Sequence, residues 1–508
     1  MADRRFSMVN YFAENEGYRC GYCKNPDTNF SHGMWAYMLT VHDYQSLIDR
    51  GWRRSGMYCY KPTMNLTCCP QYTIKCEALD FRISKSQKKI LKRMTKFLNN
   101  ELTKDDAGGT NEDQHDNIDI SNEEALNPKH LMKAKKDELQ LNVLSVDDEI
   151  SGRFNVNLVK TETPKNSTSV SGGARAQPTN FSGKNTMHVR NDIADVVPCK
   201  KAKLLRIERK KNKLLAQGKS QSEIERIMTE KKQQNCVKTL EELFEEVYTG
   251  LKKLELRLVR TAPKSSEYHK TKKESYELYK KYQNTIHGVP LEKLTEEQYK
   301  RFLVKSPLQE WIPDNGPPHG YGSFHEQYWL DNELIAVGVI DILPSCISSV
   351  YFFYDPAYNQ LSLGTFSSLR EIYLTRQLNK IANDLKYYYM GFYIHTCPKM
   401  RYKARMQPSK LLCPETYVWR DIEPCLAKLD IAKYSRLNDE TDAIDENGVV
   451  DDVDEVLVVC NRIAMPYKKY RLQYARKTSQ KTREEKREVE EYARLVGMPC
   501  ARRMLLYR

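Results

Sequence analysis

Several features that would assign this chain to a common class of protein are missing from its 508 residues. Residues 1–5 are not followed by the apolar stretch of a secretory leader. No apolar run reaches the length of a membrane span. The phosphate-binding motif Gly-x-x-x-x-Gly-Lys-Ser/Thr is also absent, so we expect no use of ATP. These absences predict a cytoplasmic protein, with the nucleus as a second location and no membrane partner.

Aromatic residues are nearly missing from one long stretch. Between positions 101 and 200 the only Phe, Tyr or Trp side chains are Phe154 and Phe181. A segment of this composition buries too little apolar surface to offset the entropy lost on ordering. We therefore predict a disordered insertion at 99–197, followed by a charged helical linker at 198–237. The folded parts of the chain are expected on either side.

The charge of the chain is basic. Lysine and arginine number 81 against 67 acidic residues, which gives a formal net charge of +14. Basic residues in runs on a chain of this length favour a polyanionic partner over a merely solvated surface.

Cysteine is abundant, with 14 residues, and in a chain without a leader it indicates thiols or metal ligands rather than disulfides. Cys20 and Cys23 form a Cys-x-x-Cys knuckle, and Cys68 and Cys69 follow about one small domain later. Four thiolates can close a tetrahedral metal site, with Cys76 as the alternate fourth ligand. Zinc and an iron–sulfur cluster both suit such ligands. We predict a small metal-binding domain at 1–98; buried free thiols are the alternative.

The C-terminal half has the features of an α+β core. Residues 334–343 and 350–354 are apolar and aromatic runs that predict two buried neighbouring strands. A helix is predicted after Gly364, and a third strand at 387–395. A strand, a glycine turn and a helix N-terminus together make a ready site for an anion. We expect this core at 238–435, then an acidic loop at 436–456 and a basic helical segment at 457–508.

A loop after the third strand interleaves basic and aromatic residues. Residues 399–403 are Lys-Met-Arg-Tyr-Lys. Such a loop offers pairing to phosphates and flat faces for stacking, which single-stranded RNA ends require.

Several long motifs of this chain, taken in order, closely resemble those of eukaryotic arginyl-tRNA–protein transferases. They are Tyr18-Arg19-Cys20-Gly21-Tyr22-Cys23, Cys68-Cys69-Pro70-Gln71-Tyr72-Thr73-Ile74, Ser323-Phe324-His325-Glu326-Gln327-Tyr328, Met390-Gly391-Phe392-Tyr393-Ile394-His395, Lys399-Met400-Arg401-Tyr402-Lys403 and Leu412-Cys413-Pro414-Glu415-Thr416-Tyr417. The resemblance covers residues 8–98 and 240–425. It implies transfer of arginine from charged tRNA to the amino terminus of proteins that begin with Asp, Glu or oxidised Cys, which marks them for ubiquitin-dependent degradation. It also implies an N-terminal metal-binding domain and a C-terminal domain related to the N-acetyltransferase fold.

The chemistry of this reaction suggests roles for particular residues. The aminoacyl ester is already activated, and an α-amine of pKa about 7.7–8.0 needs only a modest base. Asp341, at the end of a core strand, is our first candidate for that base, and Asp355 is the second. Each could instead be a strand-end acid that caps a turn.

Substrate-binding residues are expected in two groups. An acidic N-terminal side chain requires a cationic pocket, for which we select Arg82 and His287, lined by Tyr18. The second group faces the tRNA: three residues are expected at its 3′ end and three at its phosphates. They are, in that order, Ser323, His325 and Gln327, then Lys399, Arg401 and Lys403.

Three rival functions are compatible with parts of the sequence. A thioester-using N-acetyltransferase would normally carry an Arg/Gln-x-x-Gly-x-Gly/Ala pyrophosphate loop, which this chain lacks. An RNA-binding protein with a zinc knuckle would explain the charge and the cysteines, but not the buried strands that end in acids. A reader of acidic N-termini without transferase chemistry would ignore tRNA. We expect the transferase, acting as a monomer.

Overall fold

The computed structural model describes residues 5–13, 16–102, 145–146, 211–212, 214–224, 226, 238–474 and 480–508. The chain divides into two units, one made of Met1–Val159 and Thr239–Arg508 and the other of Lys160–Lys238. The second unit is described at few residues and contains helical residues at 214–216 and 221–224. The predicted insertion at 99–197 and the charged linker at 198–237 lie largely outside the described residues.

The first unit contains the strands and helices discussed below. The strands are β1 (Met8–Phe12), β2 (Ser31–Met38), β3 (Arg53–Ser55), β4 (Tyr58–Pro62), β5 (Tyr72–Glu77), β6 (Ser145–Val146), β7 (Leu254–Ala262), β8 (Gly322–Leu330), β9 (Glu333–Ile342), β10 (Cys346–Tyr354), β11 (Tyr387–Tyr393), β12 (Ser409–Leu412), β13 (Trp419–Asp421), β14 (Leu457–Cys460), β15 (Ile463–Pro466) and β16 (Leu505–Tyr507). The α-helices are α1 (Val41–Ile48), α2 (Lys85–Leu98), α3 (Leu240–Tyr248), α4 (Ser266–His287), α5 (Glu296–Tyr299), α6 (Leu363–Asn379), α7 (Ile422–Ile431), α8 (Tyr467–Tyr474), α9 (Gln480–Val496) and α10 (Met498–Ala501).

These strands form two mixed sheets of eight strands each within the described part of the chain. Sheet I has the order β3-β4-β2-β1-β16-β14-β15-β6, and sheet II has the order β13-β12-β5-β11-β10-β9-β8-β7. The α+β class predicted from the sequence is confirmed. The strands predicted at 334–343, 350–354 and 387–395 are present as β9, β10 and β11, with α6 between the last two.

The sheets join regions that the sequence separates. Strand β5 comes from the predicted metal-binding domain, yet it lies in sheet II between β11 and β12. Conversely, β14 and β16 come from the predicted basic helical segment, and β16 pairs with β1 in sheet I. The segment 457–508 is thus part strand and part helix, and residue 98 does not separate one sheet from the other. Pairing between distant strands leaves no signal in local composition, which explains the difference.

The acidic loop at 436–456 is held by arginines from other parts of the chain. Asp445 accepts two hydrogen bonds from Arg50, and Asp451 and Glu455 both pair with Arg502. Its acidic composition therefore serves ion pairing within the first unit.

The feature that positions the functional site is a separation between β10 and β11. These parallel strands pair only at residues 346–348 with 387–389. Beyond that point β10 continues along β9, and β11 continues along β5. A register shift interrupts each strand where they part, and Gly391, with φ of 69°, provides the left-handed backbone in β11. An opening therefore forms inside sheet II.

No helix among the residues described here is both long and apolar enough to span a membrane.

Candidate active-site cleft

The opening between β10 and β11 is a cleft lined by residues from several parts of the chain. Residues 348–352 of β10 form one wall, and Tyr388 with residues 390–392 of β11 forms the other. The first turns of α6 close one side, Arg53 and Arg54 approach from β3, and Tyr402 and Lys403 approach from the basic aromatic loop. None of the side chains that line the cleft is a carboxylate. The cleft is therefore suited to an anionic ligand.

Helix α6 presents one face to the cleft. Gly364, Ser367 and Ser368 line it, and their spacing of three and four residues places them on one face of a helix. The side chain of Ser362, which precedes the helix, makes no capping hydrogen bond to the first turn. The free N–H groups and the positive end of the helix dipole thus lie at this side of the cleft, as the sequence predicts.

Among the described residues, two buried cations of the cleft, Lys403 and Arg53, form no salt bridge with an acid. Lys403 is 2% exposed, and its Nζ donates a hydrogen bond of 2.7 Å to the carbonyl of Phe392. Arg53 donates to the carbonyls of Ile48, Trp52 and Gly391, and its Nε has no partner among the described residues. Burial lowers the pKa of Lys403 to about 7, with the nearby Arg53 as a second cause. An anion bound here would restore the charge of the lysine.

Arg54 also reaches the cleft, but its charge is fully compensated. Its guanidinium donates to both oxygens of Asp341, at 2.7 and 2.6 Å, and to the hydroxyl of Ser323 at 3.1 Å. Ser323 donates in turn to Asp341 at 2.6 Å. Asp341 is completely buried and does not line the cleft. This carboxylate is occupied as a hydrogen-bond acceptor, so its geometry favours a structural role; the base role we expected remains a prediction.

Asp355 also has the alternative role of a turn cap. Its carboxylate accepts from the backbone N–H of Ala357 at 2.9 Å and pairs with Lys281 at 2.6 Å. It does not line the cleft. The structure therefore brings neither predicted acid to the cleft.

The three residues predicted to face the tRNA 3′ end are inner residues of β8. Ser323, His325 and Gln327 are each no more than 1% exposed. His325 Nε2 contacts the carbonyl of Leu303 at 2.9 Å, and burial lowers the pKa of this histidine to about 4. Gln327 donates to Thr271 at 2.8 Å. Alternate residues of one strand share a face, and α4 and the segment before β8 cover this one, so the structure places these three side chains in the interior.

The three residues predicted for the acidic-side-chain pocket lie outside the lining of the cleft. Arg82 is exposed, and His287 ends α4 against the ring of Tyr282. Neither residue lines the cleft. Tyr18 is buried, and its hydroxyl lies 2.9 Å from that of Ser31. The buried cations Arg53 and Lys403 line the cleft, whereas we had predicted a cationic pocket formed by Arg82 and His287.

The basic aromatic loop divides into exposed and buried positions. Lys399 and Arg401 are exposed, whereas Lys403 turns into the cleft. Lys399 and Arg401 are therefore accessible to phosphates at the surface, and Lys403 is accessible only to a ligand inside the cleft.

Cys20, Cys23, Cys68 and Cys69 form a cluster that could hold a metal ion. Their Sγ atoms all lie within 4.8 Å of one another. Cys76, the alternate ligand, is a buried residue of β5 outside this cluster. Ile394 and Met400 pack against the cluster together with Tyr22. Since Tyr22 and Met400 also line the cleft, the metal site and the cleft share a wall.

Sequence reasoning missed Ser367, Tyr388 and the lining role of β10. The helix was predicted, but the side of it that faces an opening depends on where β10 and β11 part. The signal for Arg53 was available, because three arginines, Arg50, Arg53 and Arg54, stand close together between the cysteine motifs.

The fold and the cleft define a mixed α+β protein with a basic cleft beside a thiol cluster. Family models described as "Arginine-tRNA-protein transferase, N terminus" and "C terminus" match residues 18–89 and 274–413. Arginyl-tRNA–protein transferase 1 of Drosophila melanogaster is 43% identical over 98% of this chain and 99% of its own. Arginyl-tRNA–protein transferase 2 of Arabidopsis thaliana is 36% identical over 82% and 76%. The chain belongs to the arginyl-tRNA–protein transferase family and is a transferase.

Two further similarities are partial. The aspartate/glutamate leucyltransferase of Polynucleobacter asymbioticus is 37% identical over 27% of this chain and 50% of its own. The C-terminal domain (DUF2156) of a putative lysylphosphatidylglycerol synthetase from Agrobacterium fabrum covers 33% of this chain and 48% of its own, at 10% identity and a TM-score of 0.18. That structural similarity is too low to assign the fold.

Proposed function

We propose that this transferase attaches arginine, in the cleft between β10 and β11, to the N-terminal α-amine of proteins that begin with Asp, Glu or oxidised Cys. The observation that carries the proposal is the pair of buried cations, Arg53 and Lys403, in a cleft without a lining carboxylate. An acidic first side chain supplies the missing anion, and it leaves the adjacent amine inside the cleft. A marking role in protein degradation follows from arginine at the N-terminus.

The chemistry needed is modest. The ester of arginyl-tRNA is the activated group, and most of the acceleration can come from holding ester and amine together. The N-terminus of α6 offers N–H groups to the oxyanion that forms when the amine attacks the carbonyl carbon. ATP has no part in this reaction scheme.

We propose an acetyltransferase-like arrangement for the core of sheet II. It is supported by the parallel pair β10 and β11, joined through α6 and separated beyond Ser348 and Tyr389. In this arrangement the acyl donor enters between the separated strands. The donor is then an aminoacyl ester of tRNA, with exposed Lys399 and Arg401 placed to contact its phosphates.

We propose that the cysteine cluster binds a single tetrahedral ion such as zinc rather than an iron–sulfur cluster. A Zn–S bond of about 2.3 Å places ligand sulfurs about 3.8 Å apart, which fits four thiols within 4.8 Å of one another. An iron–sulfur cluster spreads its ligands over several iron atoms and needs wider spacing. When bound, the ion would fix the wall that holds Tyr22 and Met400.

Metal analysis of purified protein tests this assignment. We expect about one zinc per chain, no visible absorption from iron and sulfide, and loss of the metal in Cys20→Ser. Cys76→Ser should retain it. Iron and sulfide in stoichiometric amounts would contradict the single-ion proposal.

The function itself is tested by transfer of radiolabelled arginine from charged tRNA to peptides that begin with Asp or Ala. Label on the Asp peptide alone is the expected result. Equal labelling of both peptides would refute the acidic specificity, and label on neither would refute the transfer proposed for the cleft.

A further inference from the structure

The face of α6 that lines the cleft continues one turn further to a buried acid. Gly364, Ser367 and Ser368 line the cleft, and Glu371 is the next residue on the same face. Glu371 is 1% exposed and lies beneath the residues that line the cleft, with its Oε1 packed against Gly338 of β9. Helical periodicity thus places a carboxyl group directly below the floor of the cleft.

A hydroxyl of the lining connects this acid to the cleft. Ser367 lines the cleft and donates a hydrogen bond of 2.9 Å from Oγ to Glu371 Oε1. Oε2 has no hydrogen bond of ordinary geometry within the described residues, although Ser349 and Tyr388, both cleft residues, lie beside the carboxyl group. The side chain of Ser367 therefore lies between the cleft and the carboxyl group of Glu371.

Within the part of the chain that the structure describes, Glu371 forms no salt bridge with a cation. Arg370, its neighbour in the helix, pairs instead with Glu326 of β8 at 2.9 Å. Among the described residues, the other titratable groups that act on the carboxyl group are Glu326 and Tyr328 from β8 and Tyr388 from β11, and Ser349 of β10 lies beside it. Burial, with Glu326 as a second cause, raises the pKa of Glu371 to about 7. A carboxyl in this setting can gain and lose a proton near neutral pH.

We propose that Glu371 is a positioning residue that receives, through the hydroxyl of Ser367, the proton which the attacking α-amine loses. As the amine nitrogen bonds to the carbonyl carbon, its proton passes to Ser367 Oγ and the proton of Ser367 passes to the Glu371 carboxylate. The same path then returns a proton to the ribose oxygen as the ester C–O bond breaks. The net result is an amide and a free ribose hydroxyl, so the enzyme ends in its starting protonation state.

The other buried acids near the cleft are engaged differently. Asp341 accepts from Arg54 and Ser323, and Asp355 is held by Lys281 and a backbone N–H. Neither lines the cleft or bonds to a hydroxyl that lines it. Glu371 is the buried acid that we find, among the residues described, in hydrogen-bond contact with the α6 lining. The inference rests on the proposed site of transfer in this cleft.

The test is a set of single-turnover rates with prebound arginyl-tRNA and saturating acceptor peptide, measured from pH 5.5 to 9. Titration of the α-amine, with a pKa of about 7.7–8.0, is common to all variants, so the ratio of wild-type to variant rate isolates Glu371. That ratio, taken against Glu371→Gln or Ser367→Ala, should rise with pH, level off above about 7 as Glu371 becomes a carboxylate, and reach about 100-fold at pH 7.5. The double variant should lose no more than either single variant, because both changes interrupt one path.

Controls separate this role from a structural one. Thr375→Val removes a buried hydrogen bond of 2.8 Å to the backbone carbonyl of Glu371 without touching its carboxyl. It should lower Tm but retain the wild-type pH profile. If Glu371→Gln does not fold, the pH profile of Ser367→Ala and that of Glu371→Asp carry the test.

Two results would overturn the proposed proton path through Ser367 to Glu371. A Glu371→Gln rate within twofold of wild type at pH 7.5 would exclude Glu371, and multiplicative losses in the double variant would exclude the path through Ser367. Failure of the proposed specificity is distinguishable, because it appears as equal labelling of Asp and Ala peptides by the wild-type enzyme. The proton path through Ser367 to Glu371 can then be tested by single-turnover rates with either peptide.

Discussion

Two buried carboxylates within sheet II and its covering helix have opposite surroundings. Asp341 on β9 receives hydrogen bonds from two guanidinium nitrogens of Arg54 and from Ser323. Glu371 on α6 receives a hydrogen bond of 2.9 Å from Ser367, and its neighbour in the helix, Arg370, pairs with Glu326 instead. A compensated buried charge holds strands together, whereas an uncompensated one exchanges its proton easily. Asp341 was the more conspicuous candidate in the sequence because it lies at the end of a strand, but its hydrogen-bond partners suit it to a structural role.

The largest effect on stability is expected when the cation that compensates the charge of Asp341 is removed. Arg54→Met leaves Asp341 buried without its cation, and we expect a loss of about 3–5 kcal/mol in the free energy of unfolding. Urea titration measures it. Arg257→Met, which breaks an exposed pair with Glu255, should cost far less. Equal losses in the two variants would show that the Arg54 pair contributes nothing beyond a surface pair.

The second comparison is between compensated Arg54 and the uncompensated cleft cation Lys403. Lys403→Met should raise KM for an Asp-initiated peptide about 10- to 100-fold, because a hydrogen bond to a charged group contributes about 1.5–3 kcal/mol. KM for arginyl-tRNA should change little. Steady-state kinetics with each substrate varied separately measures both.

Lys399→Met is the matched control for Lys403, since it changes the same residue type in the same loop at an exposed position. It should leave KM for the peptide near wild type. If Lys403→Met raised KM for arginyl-tRNA instead, the cleft cation would serve the tRNA and the acidic side chain would bind elsewhere.

A smaller effect should appear in stability as a function of pH. The pKa of Glu371 is raised from 4.5 in the unfolded chain to about 7, so folding favours the neutral form. Its contribution is intact below about pH 4.5 and is lost progressively as pH rises to about 7. Relative to Glu371→Gln, the wild type should therefore lose stability over this interval and remain constant above it. Urea titrations at several pH values test this; parallel curves would refute the raised pKa.

The smallest effects are expected at exposed charges. Lys399→Ala and Arg401→Ala should each weaken tRNA binding a few-fold and lower the slope of log K against log salt by about 0.7–0.9. Filter binding at several salt concentrations measures this. Unchanged slopes would remove these residues from the phosphate contacts.

Much of the fold could be predicted because its signals are local. The apolar runs at β9 and β10, the helix after Gly364 and the strand at β11 all appear in the periodicity of the sequence. The cysteine pairs likewise predicted the thiol cluster, although the choice between Cys69 and Cys76 required coordinates. By contrast, Ser323, His325 and Gln327 have the residue types of a binding site, and only the elements that cover β8 show them to be interior.

The sequence by itself determined the family, the cysteine motifs of the thiol cluster and the strands and helix of the core from β9 to β11, because motifs and periodicity are properties of neighbouring residues. Only the tertiary structure decided which charges are compensated. Arg54 and Asp341 are 287 positions apart, and Arg53 lies against the carbonyl of Gly391, 338 positions away. The environment of a buried charge is set by such distant partners, and that environment decides whether a residue holds the fold together or takes part in chemistry.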